Sequence, residues 1–382
     1  MQTVKALING RIFTGEEIIY QHALLVENGH IIDIVPEHLL PQVKYHYDLN
    51  GGLLAPGFID VHVNGGAGEL FNHNPSAEAL QTIAQAHREY GTTAFLPTLI
   101  TDTWEQMVSA VAAVAAATEL SVPGILGIHL EGPYLNERRK GVHPAKRIRV
   151  PKSYGDLNHL FDVFPAHLIK LMTLAPEQVS PAFIQQLIID GIIVSAGHTE
   201  ASYDQMQIAL AHGVTGFTHL FNAMSPMTSR EPGVVGAALD NADSWCELIV
   251  DGYHVHPVTL RQAIKAKAKG KMILVTDAMH TVAQGAGRFN LMGSSIISEN
   301  GKVTTLDGTL AGSNLDMASA VRNTVQKVGL ELEEALRMAS LYPAQFLQLD
   351  HKLGRIAKGF QADLVLIDDN MVVKKTWIRG ET

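Results

Sequence analysis

Eight short apolar runs, most of them separated from the next by a helical pattern, constrain this chain more than any other feature. They are LLAPGFIDVHV, TTAFLPTLI, GILGIHLE, HLIKLMTLA, GIIVSAGH, VTGFTHL, CELIVDGYH and KMILVTDA. Runs of this length, rich in branched side chains, read as strands buried on both faces of a parallel sheet. Between them, SAEALQTIAQAHREYG opens on a Ser and stops at Gly91, and TWEQMVSAVAAVAAATEL is an Ala-rich helix. SPAFIQQLIIDG and ASYDQMQIALAHG are amphipathic and also end at Gly. Strand–helix alternation with right-handed crossovers favours a closed parallel barrel over an open sheet. The expected fold is α/β, a (β/α)8 TIM-like barrel.

The two ends of the chain have a different texture. VKALINGRIFTG, HALLVENGHIIDIV and YHYDLNGGLLAPG are short strands broken by NG, TG and GG turns, and KLGRIAKGFQADLVLIDDN and MVVKKTWIRGE repeat the pattern. One small β-sandwich domain built from both termini is expected. Residues 1–52 and 346–382 would form it, with the barrel over 53–345.

Composition removes several classes of function. A net charge of −9 with no basic block gives no footprint for nucleic acid. Cys246 is the single cysteine, so no internal disulfide is possible, and a buried, inert thiol is expected. No apolar run approaches the roughly 20 residues of a membrane span, and MQTVKALING lacks the features of a secretory leader. A cytoplasmic enzyme is expected.

The chemistry-bearing residues fall at the ends of the apolar runs. Glu131 closes GILGIHLE, His198 follows GIIVSAG, His219 follows VTGFT, and Asp277 follows KMILVT. A barrel of this type keeps its active site at the C-terminal ends of its strands. One Glu and two His can hold a divalent cation, Zn2+ or Fe2+, with a position left open for water, and a nearby Asp can move protons. Each histidine taken alone is equally at home in a packed core. Four such residues in step indicate a metal-dependent hydrolase. On the first run, Asp60, His62 and Asn64 share one face, and on the third His129 shares a face with Glu131 from deeper in the barrel.

The segments PGFIDVHVNG, LPTLIT, HLEGPYLN, KGVHP, LAPE, VSAGHT, THLFNAM, REPGVVGA, DGYHV, LVTDAM, LAGS and LYPA occur in order over nearly the whole chain. Together they resemble the N-acetylglucosamine-6-phosphate deacetylase family of the amidohydrolase superfamily. The resemblance implies a catalytic metal on Glu131, His198 and His219, Asp277 as general base and acid, and His143 as a donor to the developing oxyanion. It also implies a phosphorylated amino sugar as substrate, with its phosphate met by Asn222, Ala223, Arg230 and His254, one ligand coming from the partner in a homodimer. Leu310, Ala311 and Gly312 would close over the acetyl end. Some members carry His-x-His on the first strand and bind two metals. Here the pair is His62 and Asn64, and an amide oxygen is a weaker ligand than imidazole, so one tight metal per subunit is expected. His62 would then touch a weak second site or the substrate. Four alternatives remain: the galactosamine isomer as substrate, a cyclic amidase, a non-catalytic assembly protein, and phosphate-sugar binding without turnover, which would not need Asp277 beside a metal site. The amidase would want a strand-end Lys, whereas Lys170 lies early in its run; the assembly protein would have lost the ligands that are present here.

Overall fold

The structure, a computed structural model, describes residues 4–151, 155, 161–162 and 165–382. Eight parallel strands stand in sequence order in one sheet: Phe58–Val63, Thr92–Ile100, Ile128–Glu131, Ile169–Leu174, Ile193–Ala196, Val214–Phe217, Trp245–Ile249 and Met272–Val275. Seven lie wholly inside one of the eight apolar runs, and the seventh strand begins one residue ahead of its run, at Trp245. The seam between the last strand and the first is drawn together by a parallel bridge from Val63 to Ala278 and by the Asp277 N–H donating to the His62 carbonyl at 2.9 Å. The near-closed barrel is the expected fold.

The helices form where the sequence marks them, at Ala77–Arg88, Trp104–Glu119, Pro181–Ile189 and Tyr203–Ala211. Their first turns are capped by side chains: Thr103 accepts from the Gln106 N–H, Ser180 from Phe183, and Ser202 with Gln205 forms a reciprocal capping box. Each cap satisfies otherwise orphaned N–H groups and contributes about 1 kcal/mol.

Two departures from the sequence reading matter. LLAPGFIDVHV is not one strand: it divides at Gly57, and Leu53–Pro56 joins a different sheet from Phe58–Val63. A side chain at Gly57 would collide with Thr93, whose Oγ1 would lie 2.2 Å from the added Cβ. Secondly, a three-stranded antiparallel sheet, Gly287–Leu291, Ser294–Glu299 and Lys302–Thr305, follows the eighth barrel strand. Its inner residues Leu291, Ile296 and Val303 pack with Leu70, Ile100, Met279 and Ala311.

By internal contacts the chain divides into two compact units. One comprises the residues up to Asp60, His87–Ala94 and Asp316–Thr382; the other comprises Val61–Ala86 and Phe95–Leu315. In the first, a four-stranded sheet (Lys5–Ile8, His22–Glu27, His30–Pro36, Tyr45–Asp48) and a five-stranded sheet supplied by both termini enclose Leu7, Ile12, Leu24, Ile31, Leu54, Leu364 and Trp377.

Asp363 in this unit makes its stability depend on pH. It is 8% exposed and accepts the Arg379 N–H at 2.7 Å. Burial pushes its carboxyl up to about 6, against the pull of the Arg379 hydrogen bond. A folded pKa above the unfolded value means that this group's stabilising contribution is complete below about pH 4 and is lost as pH rises through about 6. Asp363→Asn keeps an acceptor for Arg379 and removes the buried charge. It is expected to raise stability at pH 7.5 by about 1–2 kcal/mol and to flatten the melting temperature between pH 4 and 6. A lower melting temperature for the variant at pH 7.5 would sink this account.

Candidate active site

The strand ends deliver the four chemistry-bearing residues to one place. Glu131 is the last residue of its strand, while His198, His219 and Asp277 each lie two residues beyond theirs. The latter three adopt left-handed backbone conformations, with φ of 49°, 34° and 50°. A non-glycine residue there costs about 1–2 kcal/mol and persists only where its surroundings over-determine it. They do so here. The His198 carbonyl accepts from the Asn136 N–H at 2.8 Å, and the Asp277 carbonyl accepts from Ser313 at 2.8 Å. The His219 N–H donates to Glu247 Oε2 at 3.3 Å.

Three of these side chains converge on one point. His198 Nε2 and His219 Nε2 lie 3.0 and 3.1 Å from Glu131 Oε1, and 3.1 Å from each other. The His198 tautomer follows from its other nitrogen. Nδ1 lies 2.7 Å from the Arg139 carbonyl, which can only accept, so Nδ1 carries the proton and Nε2 presents a lone pair. Arg139 is in turn held by an ion pair with Glu200. Ligand atoms around a tetrahedral Zn2+ stand about 3.3 Å apart, so the donor set and spacing fit such an ion. His143 stands beside the cluster, with Nε2 3.5 Å from Glu131 Oε2. Glu131, His143 and His198 place ligand atoms within 4.8 Å of one another.

Glu131 is buried, which penalises its charge, but His62 and His143 hold its carboxyl well below the usual range. Burial and the neighbouring His198 depress the His143 ring to about 4, so it is a neutral imidazole at pH 7. Its Nδ1 faces Thr101, with the hydroxyl at 2.9 Å and the backbone N–H at 3.3 Å. Donation by that N–H leaves the proton on Nε2, the form that can donate to an oxyanion.

Asp277 sits on the other side. Its Oδ1 accepts from Asn64 Nδ2 at 2.7 Å and lies 3.3 Å from His62 Nε2. Asn64 therefore spends an amide N–H on Asp277. His62 is fully buried, which disfavours the charged ring, yet Asp277 and Glu131 together raise its pKa well above the usual value. Its Nδ1 faces Glu247 Oε2 at 3.4 Å. His129 lies deeper, between the hydroxyls of Thr98 and Thr173 at 3.2 and 2.7 Å, and burial followed by His62 keeps it neutral.

A cavity of about 470 Å³ opens beside this group, in the range of small-ligand sites. Glu131, His198, His219 and Asp277 line it, with Asn64, Asn222, Ala223, His254, Leu310 and Gly312. Most of the expected substrate contacts are thus gathered. Ala311 is fully buried beneath, packed with Met279 and Leu291. Arg230 departs from expectation: it is exposed and does not line the cavity, because the segment after Met224 carries it into solvent before the helix Gly233–Asp240 begins. Arg138 and Arg139 line the cavity instead, and sequence reasoning passed over both.

It also passed over Glu247 and Asp251. Period-two spacing puts both on one face of the seventh strand and its extension, with Ile249 between them. A Glu inside the run WCELIV was the available signal, since a charge in a buried strand requires a partner.

Comparison with known proteins adds the following. Residues 53–382 match the model of the Amidohydrolase family, and residues 5–54 match that of the NagA composite domain. The chain is 45% identical over 338 residues to an N-acetylgalactosamine-6-phosphate deacetylase of Shewanella sp. (strain ANA-3), covering 88% of this chain and 85% of the relative. It is 37% identical over 385 residues to an N-acetylglucosamine-6-phosphate deacetylase of Haemophilus influenzae, covering 98% of each. The crystal structure of N-acetylglucosamine-6-phosphate deacetylase from Pasteurella multocida superposes with a TM-score of 0.95 at 38% identity, covering 99% of both chains.

Proposed function

Because the chain belongs to the amidohydrolase family, we propose that it hydrolyses the acetamide of N-acetyl-D-glucosamine 6-phosphate to D-glucosamine 6-phosphate and acetate, a step of amino-sugar breakdown. The observation that carries this reading is the convergence of Glu131, His198 and His219 within 3.1 Å, with Asp277 on the same cavity. These three residues would hold one divalent cation, Zn2+ or Fe2+, per subunit. When bound, such an ion supplies a Lewis acid that polarises the amide and makes water more acidic.

The chain's own residues account for the proton transfers and the positioning. An amide has a poor leaving group, so the departing nitrogen must be protonated as the C–N bond breaks. Asp277 is the group placed to take a proton from the attacking water and return it to that nitrogen. Asn64 and His62 hold Oδ1 of Asp277 in place, leaving Oδ2 for the transfer. His143 Nε2–H would donate to the oxygen of the acetyl group as negative charge gathers there. Leu310 and Gly312 would cover the acetyl end, and Asn222, Ala223 and His254 would meet the phosphate. Arg230, exposed in the single chain, would reach a phosphate only in an assembled dimer.

A second reading concerns the sugar alone. Identity to the Shewanella galactosamine enzyme, 45%, exceeds that to the Haemophilus glucosamine enzyme, 37%. The two substrates differ in the orientation of one hydroxyl. Acetate release from both phosphorylated isomers, run beside unphosphorylated N-acetylglucosamine, separates the readings. The expected order is the glucosamine ester first and the free sugar last. A larger kcat/KM for the galactosamine ester would establish the second reading. Equal rates with the free sugar would remove the phosphate from the substrate description.

A further inference from the structure

The segment Asp251-Gly252-Tyr253-His254 follows the seventh barrel strand and brings His254 to the cavity wall. Asp251 spends its two carboxylate oxygens differently. Oδ1 accepts the N–H groups of Tyr253 and His254 at 2.8 and 2.9 Å, an Asx-type turn that sets the loop. Oδ2 is committed to the ring of His254, 2.6 Å from Nδ1. Gly252, at φ 89°, permits the tight reversal that folds the histidine back over its partner. Both side chains are nearly buried, at 6% and 5% exposure. A turn alone would need only Oδ1.

We propose that Asp251 is a positioning residue for substrate recognition: it fixes the plane and tautomer of His254 so that Nε2 is presented to the phosphate of the substrate. The inference rests on the reading of His254 as a phosphate contact. A carboxylate only accepts, so the proton of Nδ1 is pinned on the side away from the ligand. A neutral ring held this way would offer a phosphate a lone pair at Nε2, whereas an imidazolium offers a donor. With Nδ1 spent on the carboxylate, Nε2 is the nitrogen left to face the phosphate in either form. Discrimination for a phosphorylated over a free sugar therefore depends on Asp251, which need not touch either.

The test compares kcat/KM for N-acetylglucosamine 6-phosphate with that for N-acetylglucosamine, in the wild type and in Asp251→Asn. The ratio is expected to fall about 10- to 100-fold in the variant, through KM for the phosphorylated sugar and not through kcat. Asp251→Ser is the second variant. Its hydroxyl can still accept the turn N–H groups but cannot reach the ring, so the same loss is expected with the loop retained. In a His254→Gln background, Asp251→Ser should lower the ratio no further. A folded D251N or D251S protein with the wild-type ratio would overturn the proposal while leaving the phosphate reading intact. A loss of kcat equal for both sugars would also overturn it, since that marks general damage to the barrel mouth. A wild type without any preference for the phosphorylated sugar would overturn the phosphate reading and this inference with it.

Discussion

Asp277→Asn is expected to lower kcat for acetate release by about 10²–10⁴-fold, with KM little changed. The substitution is nearly isosteric, so Asn64 still finds an acceptor once the new amide turns its oxygen toward it. What disappears is the capacity to accept a proton from water and deliver it to the leaving nitrogen. Metal content should stay at the wild-type level, because Glu131, His198 and His219 meet one another without help from Asp277. Steady-state kinetics with metal analysis on the same preparation reads both. A variant keeping more than about a tenth of the wild-type kcat would exclude Asp277 as the group that moves the proton.

Glu131→Gln addresses the other half of the site. One oxygen of Glu131 sits between two imidazole nitrogens, and a cation there would be balanced by its charge. The amide keeps the shape and loses the charge, so metal affinity is expected to fall by more than about 100-fold. Metal content after dialysis should drop from one equivalent toward none, and acetate release should follow it. Full retention of the metal by E131Q would remove Glu131 from the ligand set. Two equivalents retained by the wild type would refute the single tight site expected from Asn64.

The barrel and its reactive rim were legible because both follow from simple periodicities. Strands buried on both faces leave long apolar runs, and the polar residue closing each run is a local signal that needs no tertiary knowledge. The terminal sandwich was legible for the same reason, through its NG, TG and GG turns. The break at Gly57 was not, because LLAP and FIDVHV are both apolar and only packing against Thr93 shows that the chain changes sheets there. The sheet at residues 287–305 was missed although MG and NG turns punctuate it; its apolar residues alternate over a few positions only and its outer face is polar. Among site residues, those ending a run were found from the residues themselves. Asn222, Ala223 and His254 were reached through family resemblance. Glu247 and Asp251 act through other side chains, so their importance appears only once His62 and His254 are seen beside them.

The seam of the barrel carries a further consequence, for the order in which the enzyme becomes competent. Glu131 and His219 are 88 positions apart, and the whole proposed ligand set lies within that stretch. Asn64 and Asp277 are 213 positions apart and meet only where the first strand joins the eighth. Closing the longer loop carries the larger entropic cost, and contacts of greater sequence separation form later on average. A chain emerging from the ribosome thus holds all three proposed ligands well before it holds Asp277, the proposed proton carrier. Cation capture would precede turnover during folding, with the last-formed seam acting as the step that switches the chemistry on.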